Sequence, residues 1–192
     1  MQDERGTAAA QALRADAQRN RDALVEAAAR VFAVDGVDAP IKDIADQAGV
    51  GVGTFYRRFP KRSDLIFAVL RYEVESCAAA AQILAAHHAP FEALTRWIDR
   101  FLDLIIAKRG LAAALQSEAP AYAALRDEFE TYLVPSLQFL MNGAAAEIGS
   151  DITARELWRA IALLCAPATP REFEQSRRMV ALLIRGLRVV QE

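Results

Sequence analysis

Arg57, Arg58, Lys61 and Arg62 place four cations within six residues, and no acid interrupts the chain from Gln47 to Ser63. Guanidinium and ammonium groups at that density can neutralise phosphates, so the stretch is a candidate nucleic-acid footprint. A solvated basic face is the alternative that charge alone leaves open. Residues 1–63 carry a net charge of +1 and residues 64–192 a net −3, for a total of −2. Binding of nucleic acid by the whole surface is therefore excluded, and a local footprint is not.

Other chemistry-bearing residues point to less. Gly49, Gly51 and Gly53 suggest a phosphate-cradling loop. A dinucleotide fingerprint, however, follows a strand and needs a third glycine three residues on, where Thr54 and Tyr56 stand. His87 and His88 are adjacent in a loop with no Cys near them in sequence, which is poor spacing for a metal. Cys77 and Cys165 fall on apolar helix faces, where a lone thiol is usually a small buried hydrophobe. Asp127, Glu128 and Glu130 flank Arg126's side of a helix and are expected to face solvent. No nucleophile, base and orienting acid share a recognisable context. No enzyme, metal or cofactor is expected. The aromatic residues Trp97, Phe101, Tyr122, Phe129, Tyr132 and Phe139 remain. They suit either a helical core or the lining of a ligand cavity.

These residues must be positioned by helices. The chain has 192 residues, 54% hydrophobic and 25% charged, a globular composition long enough for one or two small domains. Leu24, Ala28, Val31 and Phe32 recur with helical period, and Gly36 ends the pattern. Ile41, Ile44, Ala45 and Ala48 mark a short second helix, with Pro40 in its first turn. Gly49-Val50-Gly51 is a tight turn, and Val52, Phe55, Tyr56 and Phe59 mark a third helix closed by Pro60. A helix-turn-helix has these dimensions: small residues let the second helix approach the third, which then fits a major groove ~12 Å wide.

A long helix is expected from near Lys61 to His87, another from Phe91 to near Gly110, and a short one over 111–117. A helix with Pro135 inside it follows, kinked there. Thr153-Ala154-Arg155-Glu156 and Thr169-Pro170-Arg171-Glu172 read as capping boxes for the last two helices. No segment alternates with period two, so no sheet is expected. No apolar run reaches the ~18–20 residues of a membrane span. No signal peptide is expected, and two cysteines make no disulfide framework, so a cytoplasmic location is expected.

The stretch Ile41-Lys42-Asp43-Ile44-Ala45-Asp46-Gln47-Ala48-Gly49-Val50-Gly51-Val52-Gly53-Thr54-Phe55-Tyr56-Arg57-Arg58-Phe59 resembles the signature of the TetR (tetracycline-repressor-like) transcriptional regulators. Arg30-Val31-Phe32-Ala33 before it and Asp64-Leu65 after it extend the likeness over roughly residues 20–70. The resemblance implies an all-α fold of about nine helices. Residues 1–18 would be a flexible tail, 19–63 the helix-turn-helix DNA-binding domain, and 64–192 a helical ligand-binding and dimerisation domain. It implies that Thr54 and Tyr56 touch base edges and phosphates, that Val52 and Gly53 face the bases, and that Arg57 and Arg58 meet bases or backbone. Lys42 would reach the DNA from the second helix and Arg62 would contact phosphate. Pro40 and Lys61 depart from the pattern and carry no such role over.

The resemblance further implies a small-molecule effector held among Trp97, Phe101, Tyr122, Phe129 and Tyr132, and a homodimer through about residues 153–190. The expected protein is a repressor released from a palindromic double-stranded operator by its effector, with no membrane partner. Two rivals stay open: a dimeric small-molecule-binding or adaptor protein whose helix-turn-helix is only structural, and a helical enzyme using the aromatic cavity.

Overall fold

The computed structural model describes residues 2–114, 119–149, 151–165 and 170–189; the side chains of 2–10, 12–14, 106–114, 119–128 and 170–171 are outside the description. Among the described residues it is built of eight helices: α1 (Gln2–Asp35), α2 (Ile41–Gln47), α3 (Val52–Arg58), α4 (Arg62–His87), α5 (Pro90–Ala114), α6 (Ala119–Gly143), α7 (Ala154–Leu164) and α8 (Pro170–Gly186). Ile148 and Arg188 make an isolated antiparallel bridge, and no strand forms among the described residues. The chain divides into two compact units, Met1–Tyr72 and Glu73–Glu192. The division falls inside α4, nine residues later than the expected domain limit at 63.

In the first unit two seven-residue helices, α2 and α3, share a small core with the long α1. Leu24, Ala27, Ala28, Val31 and Phe32 of α1 are buried, as are Ile44 and Ala45 of α2 and Phe55 of α3. Alanines at 28 and 45 keep the crossing close, so seven-residue helices can bury their apolar face without long side chains. Gly36 and Gly49 end α1 and α2 with φ of 79° and 68°, the left-handed region that a β-carbon disfavours. Residues 2–18, expected as a flexible tail, instead belong to α1. Their alanines are strong helix formers. Gln18 donates to Asp22 at 2.7 Å and Arg19 pairs with Asp16, contacts of the i,i+4 and i,i+3 kind that favour continuation.

In the second unit α5 packs on α6 and α8, α6 on α7, and α7 on α8. Leu94, Trp97, Ile98, Phe101 and Leu102 form the buried stripe of α5, and Leu133, Leu137 and Leu140 of α6 and Leu157 and Ile161 of α7 are buried as well. Polar ties join α4 to its neighbours in this unit. Trp97 Nε1 donates to the Cys77 carbonyl at 2.8 Å, and Ser136 Oγ donates to the Ala78 carbonyl at 3.3 Å. The helix expected to stop near Gly110 runs on to Ala114, so no separate short helix begins at 111. One glycine costs a helix only about 1 kcal/mol, and Leu-Ala-Ala-Ala directly after it restores propensity. α6 continues through Pro135 to Gly143.

α7 starts as its sequence predicts. Glu156 N–H donates to Thr153 Oγ1 at 3.3 Å, and Thr153 N–H returns a bond to Glu156 Oε2 at 2.9 Å. Thr153 Oγ1 also donates to Glu156 Oε2 at 2.7 Å. The two bonds that the carboxylate accepts, from the Thr153 backbone N–H first and its hydroxyl next, hold the Glu156 carboxyl below the usual carboxylate range. A depressed folded-state pKa stabilises above the unfolded value, and that contribution is lost as pH falls through the folded one. The melting temperature of the wild type should therefore exceed that of Glu156→Gln at pH 6, and the gap should close towards pH 3. A gap constant with pH would mean that the carboxylate charge has no part in the cap. Thr169 of the second box lies outside the described residues.

Candidate nucleic-acid interface

α3 separates two faces within seven residues. Phe55 is 1% exposed, meets Tyr56 edge-on at 5.3 Å and lies 5.9 Å from Phe59, itself buried just past the helix. Arg21 of α1 sits over the Phe59 ring, 5.7 Å from its centroid. That apolar anchor turns Val52, Gly53, Tyr56, Arg57 and Arg58 outward, all exposed, with Tyr56 at 55%. Thr54 is half-buried and accepts a bond from Arg57 Nη2 at 3.1 Å, which holds the guanidinium along the helix. Lys42 is exposed at the start of α2, which packs on α3.

Two features of this face lack an internal cause. A β-carbon built on Gly51 or Gly53 would meet nothing within 4 Å, and neither residue has a positive φ. Glycine within a helix costs roughly 0.5–1 kcal/mol relative to alanine. Gly53 therefore weakens α3 with no compensation inside the chain. The exposed phenol ring of Tyr56 is likewise left to whatever meets the surface.

Arg62 is used differently from the sequence expectation. It is half-buried at the start of α4, and its Nε donates to the Val37 carbonyl at 2.7 Å. Nη2 donates to the Ala39 carbonyl at 2.6 Å and also bonds Val37. Its Cζ lies 5.7 Å from the centroid of Phe32. The guanidinium thus ties the loop between α1 and α2 through Nε and Nη2. Its partners are backbone carbonyls some 25 residues away in sequence, which no side-chain pattern reveals.

The proposed effector residues are placed as follows. Trp97 is fully buried and Phe101 and Phe129 are buried, while Tyr132 is 39% exposed. The Tyr122 side chain lies outside the described residues. Trp97 and Phe101 stack at 5.8 Å, and Phe101 stacks in turn on Trp158 of α7 at 6.4 Å. Trp158 is not among the residues expected to hold an effector. Its Nε1 is buried yet has no hydrogen-bond partner among the described residues.

Two cavities lie elsewhere in this unit. A groove of 550 Å³ runs between α4 and α5, lined by Ser76, Ile83, Arg96, Asp99 and Arg100 among others. A pocket of 210 Å³ lies between α5 and α8 beside Phe91, Thr95 and Ile184. Neither is lined by the expected aromatic set. His87 Nδ1 is bonded to the Ile83 carbonyl at 2.7 Å, and His88 Nδ1 lies 3.3 Å from Glu92. Burial pushes the Cys77 thiol up to about 12, opposed by Arg100, so it holds almost no thiolate at neutral pH.

A short outward helix on a buried aromatic anchor, preceded by a glycine-turned helix, defines a helix-turn-helix protein with a second helical unit following it in the chain. Residues 24–69 match the family model of bacterial regulatory proteins of the tetR family, and residues 89–189 match the C-terminal domain of SbtR-like transcriptional regulators. The chain belongs to the TetR family of transcriptional regulators. A TetR transcriptional regulator of Streptomyces coelicolor is 37% identical with a TM-score of 0.75, covering 89% of this chain and 99% of its own. A TetR regulatory protein of Mycobacterium vanbaalenii is 32% identical with a TM-score of 0.71, covering 92% and 99%. HTH-type transcriptional regulators of Staphylococcus aureus are 29% identical over 107 residues, 55% of this chain and 58% of theirs. The chain thus spans a little over half the length of those curated relatives. No described helix is long and apolar enough to cross a membrane.

Proposed function

We propose that this chain is a homodimeric repressor acting in the cytoplasm, which reads a near-palindromic operator through α3 and releases it when a small molecule occupies the C-terminal unit. The observation that carries the DNA-binding part is the exposed face of α3, where Gly53 weakens its own helix without serving the fold. A glycine placed so lets an outside surface come close to the backbone. Val52, Gly53, Thr54 and Tyr56 would meet the major groove. Arg57, Arg58 and Lys42 would hold phosphates or base edges. Arg62 becomes a positioning residue, setting the loop that leads into α2.

Five of the eleven exposed large apolar side chains among the described residues lie between Leu163 and Val189. Such clustering marks a self-association face. Two copies joined there would present two α3 helices, with half-sites ~34 Å apart or a multiple of it. α4 runs through both units. A shift of that helix on effector binding would change α3 spacing, with a coupling of ~1–3 kcal/mol. The role is binding, and no reaction is assigned.

Fluorescence anisotropy with DNA flanking the gene, at two salt concentrations and against random DNA, tests the reading. Gly53→Ala sharpens it, because its two expected effects have opposite sign. The variant should gain roughly 0.5–1 kcal/mol in stability, since helix propensity improves where nothing is crowded. Operator affinity should fall about tenfold, the ~1–3 kcal/mol of a disturbed base contact. A more stable variant with unchanged operator affinity would remove α3 from the interface and leave the helix-turn-helix as scaffold.

A further inference from the structure

Among the described residues, Ser176 is the one buried polar or charged side chain. Against that apolar interior, the two tryptophans of the chain differ in one respect. Both belong to the ladder Trp97–Phe101–Trp158, whose successive rings are tilted by only 21° and 24°. At one end, Trp97 is fully buried and its N–H is satisfied by the Cys77 carbonyl. At the other end, Trp158 is half-buried and its N–H is hidden from solvent without an acceptor among the described residues. A buried donor left bare is a standing cost that a single acceptor removes, and such groups mark places where something else is bound.

We propose that Trp158 Nε1 is the hydrogen-bond anchor of the effector site, and that the effector is an uncharged, largely apolar molecule presenting a carbonyl or ether oxygen. The chemistry follows from the donor and its surroundings. An indole N–H only donates, so the ligand must accept. Its neighbours Phe101, Leu157 and Ile161 are buried and apolar, so the body of the ligand must be apolar too. No buried charge among the described residues would pair with an ionised ligand, so an ammonium or carboxylate entering there would lose its hydration without return. The inference rests on the reading of the C-terminal unit as the effector-binding unit, and adds its chemistry.

Full-length protein labelled with 15N at the indole nitrogens gives two N–H signals, since the chain holds two tryptophans. The probes are 2-acetylnaphthalene, a neutral ketone, and 2-isopropylnaphthalene, a similar shape with no acceptor. The ketone should shift the Trp158 signal downfield and leave that of Trp97 in place. It should bind about tenfold tighter than the hydrocarbon, as one buried hydrogen bond implies. In Trp158→Phe that preference should vanish while hydrocarbon affinity holds. If Trp158→Phe does not fold, Trp97→Phe assigns the signals and the wild-type shifts decide.

A ketone preference that survives in Trp158→Phe, equal affinity of the two probes for wild type, or no movement of either indole signal overturns the proposal. Operator affinity is followed in parallel. Ketone bound at Trp158 with operator affinity unchanged keeps the site and overturns the effector role. Intact operator binding with no ketone response overturns the site and leaves the regulator reading standing.

Discussion

Glutamate at both Leu163 and Leu182 is expected to convert the proposed dimer to a monomer and to lower operator affinity by more than about a hundredfold. Leu163 is 73% exposed and Leu182 53%, so neither change empties a core. α8 carries two apolar stripes. Phe173, Val180 and Ile184 face inward, while Met179 and Leu182 lie three residues apart on the outside. A helix that is apolar on two sides is expected to be covered on both. Two carboxylates placed in a mated apolar face would be desolvated without partners in each copy, a cost of several kcal/mol.

Light scattering after size exclusion should then report 21.1 kDa instead of twice that mass. Circular dichroism should be unchanged. Binding of random DNA by each half should persist, because the loss is of bivalence and not of α3. A dimer surviving both substitutions would show that this face is not the interface. Retained operator affinity in a monomer would refute the two-half-site geometry.

Arg62→Ala is the second large effect, and it separates two roles for one cation. If Arg62 held phosphate, its loss would weaken binding to every sequence and flatten the salt dependence by about one counterion. The structure instead engages Nε and Nη2 with the carbonyls of Val37 and Ala39, beside the Phe32 ring. Removing them strands two carbonyls and a cation–π contact. The expected cost is about 3 kcal/mol, since bonds to a charged donor contribute ~1.5–3 kcal/mol each and overlap. In a unit of this size that lowers the melting temperature by roughly 10–20 °C. Arg62→Lys should recover only part of it, because an ammonium cannot fork to two acceptors. Measured well below the transition, the salt slope should stay near wild type, whereas Arg57→Ala should flatten it. A stable Arg62→Ala protein with a reduced slope would return the residue to the phosphate backbone.

Most of the helices were legible because they obey local rules. Period-3.6 apolar residues, glycines at 36 and 49, and the Thr153–Glu156 box each act within a few residues, and α2, α3, α4 and α7 fall where those signals put them. The outward side of α3 was legible for the same reason: once Phe55 and Phe59 face the core, helical geometry turns Val52, Tyr56 and Arg57 away. Where apolar periodicity is missing but helix propensity is high, the limits moved. α1 reaches back through the alanines before residue 18, and α5 runs through Gly110.

Partnership was not legible, because a side chain's hydrogen-bond acceptor is chosen by tertiary approach and leaves no mark on its neighbours in sequence. Arg62 reads as one more cation in a basic stretch until the fold brings two carbonyls to its fork. The sequence singled out Trp97 as a candidate for the effector site and left Trp158 aside. Only packing gives one indole the Cys77 carbonyl and leaves the other bare. Residue type and spacing therefore determined which helices form and which face of α3 looks outward, since both follow from the geometry of a single helix. Which polar groups are satisfied, and which wait for a partner, was decided only when helices far apart in the chain met.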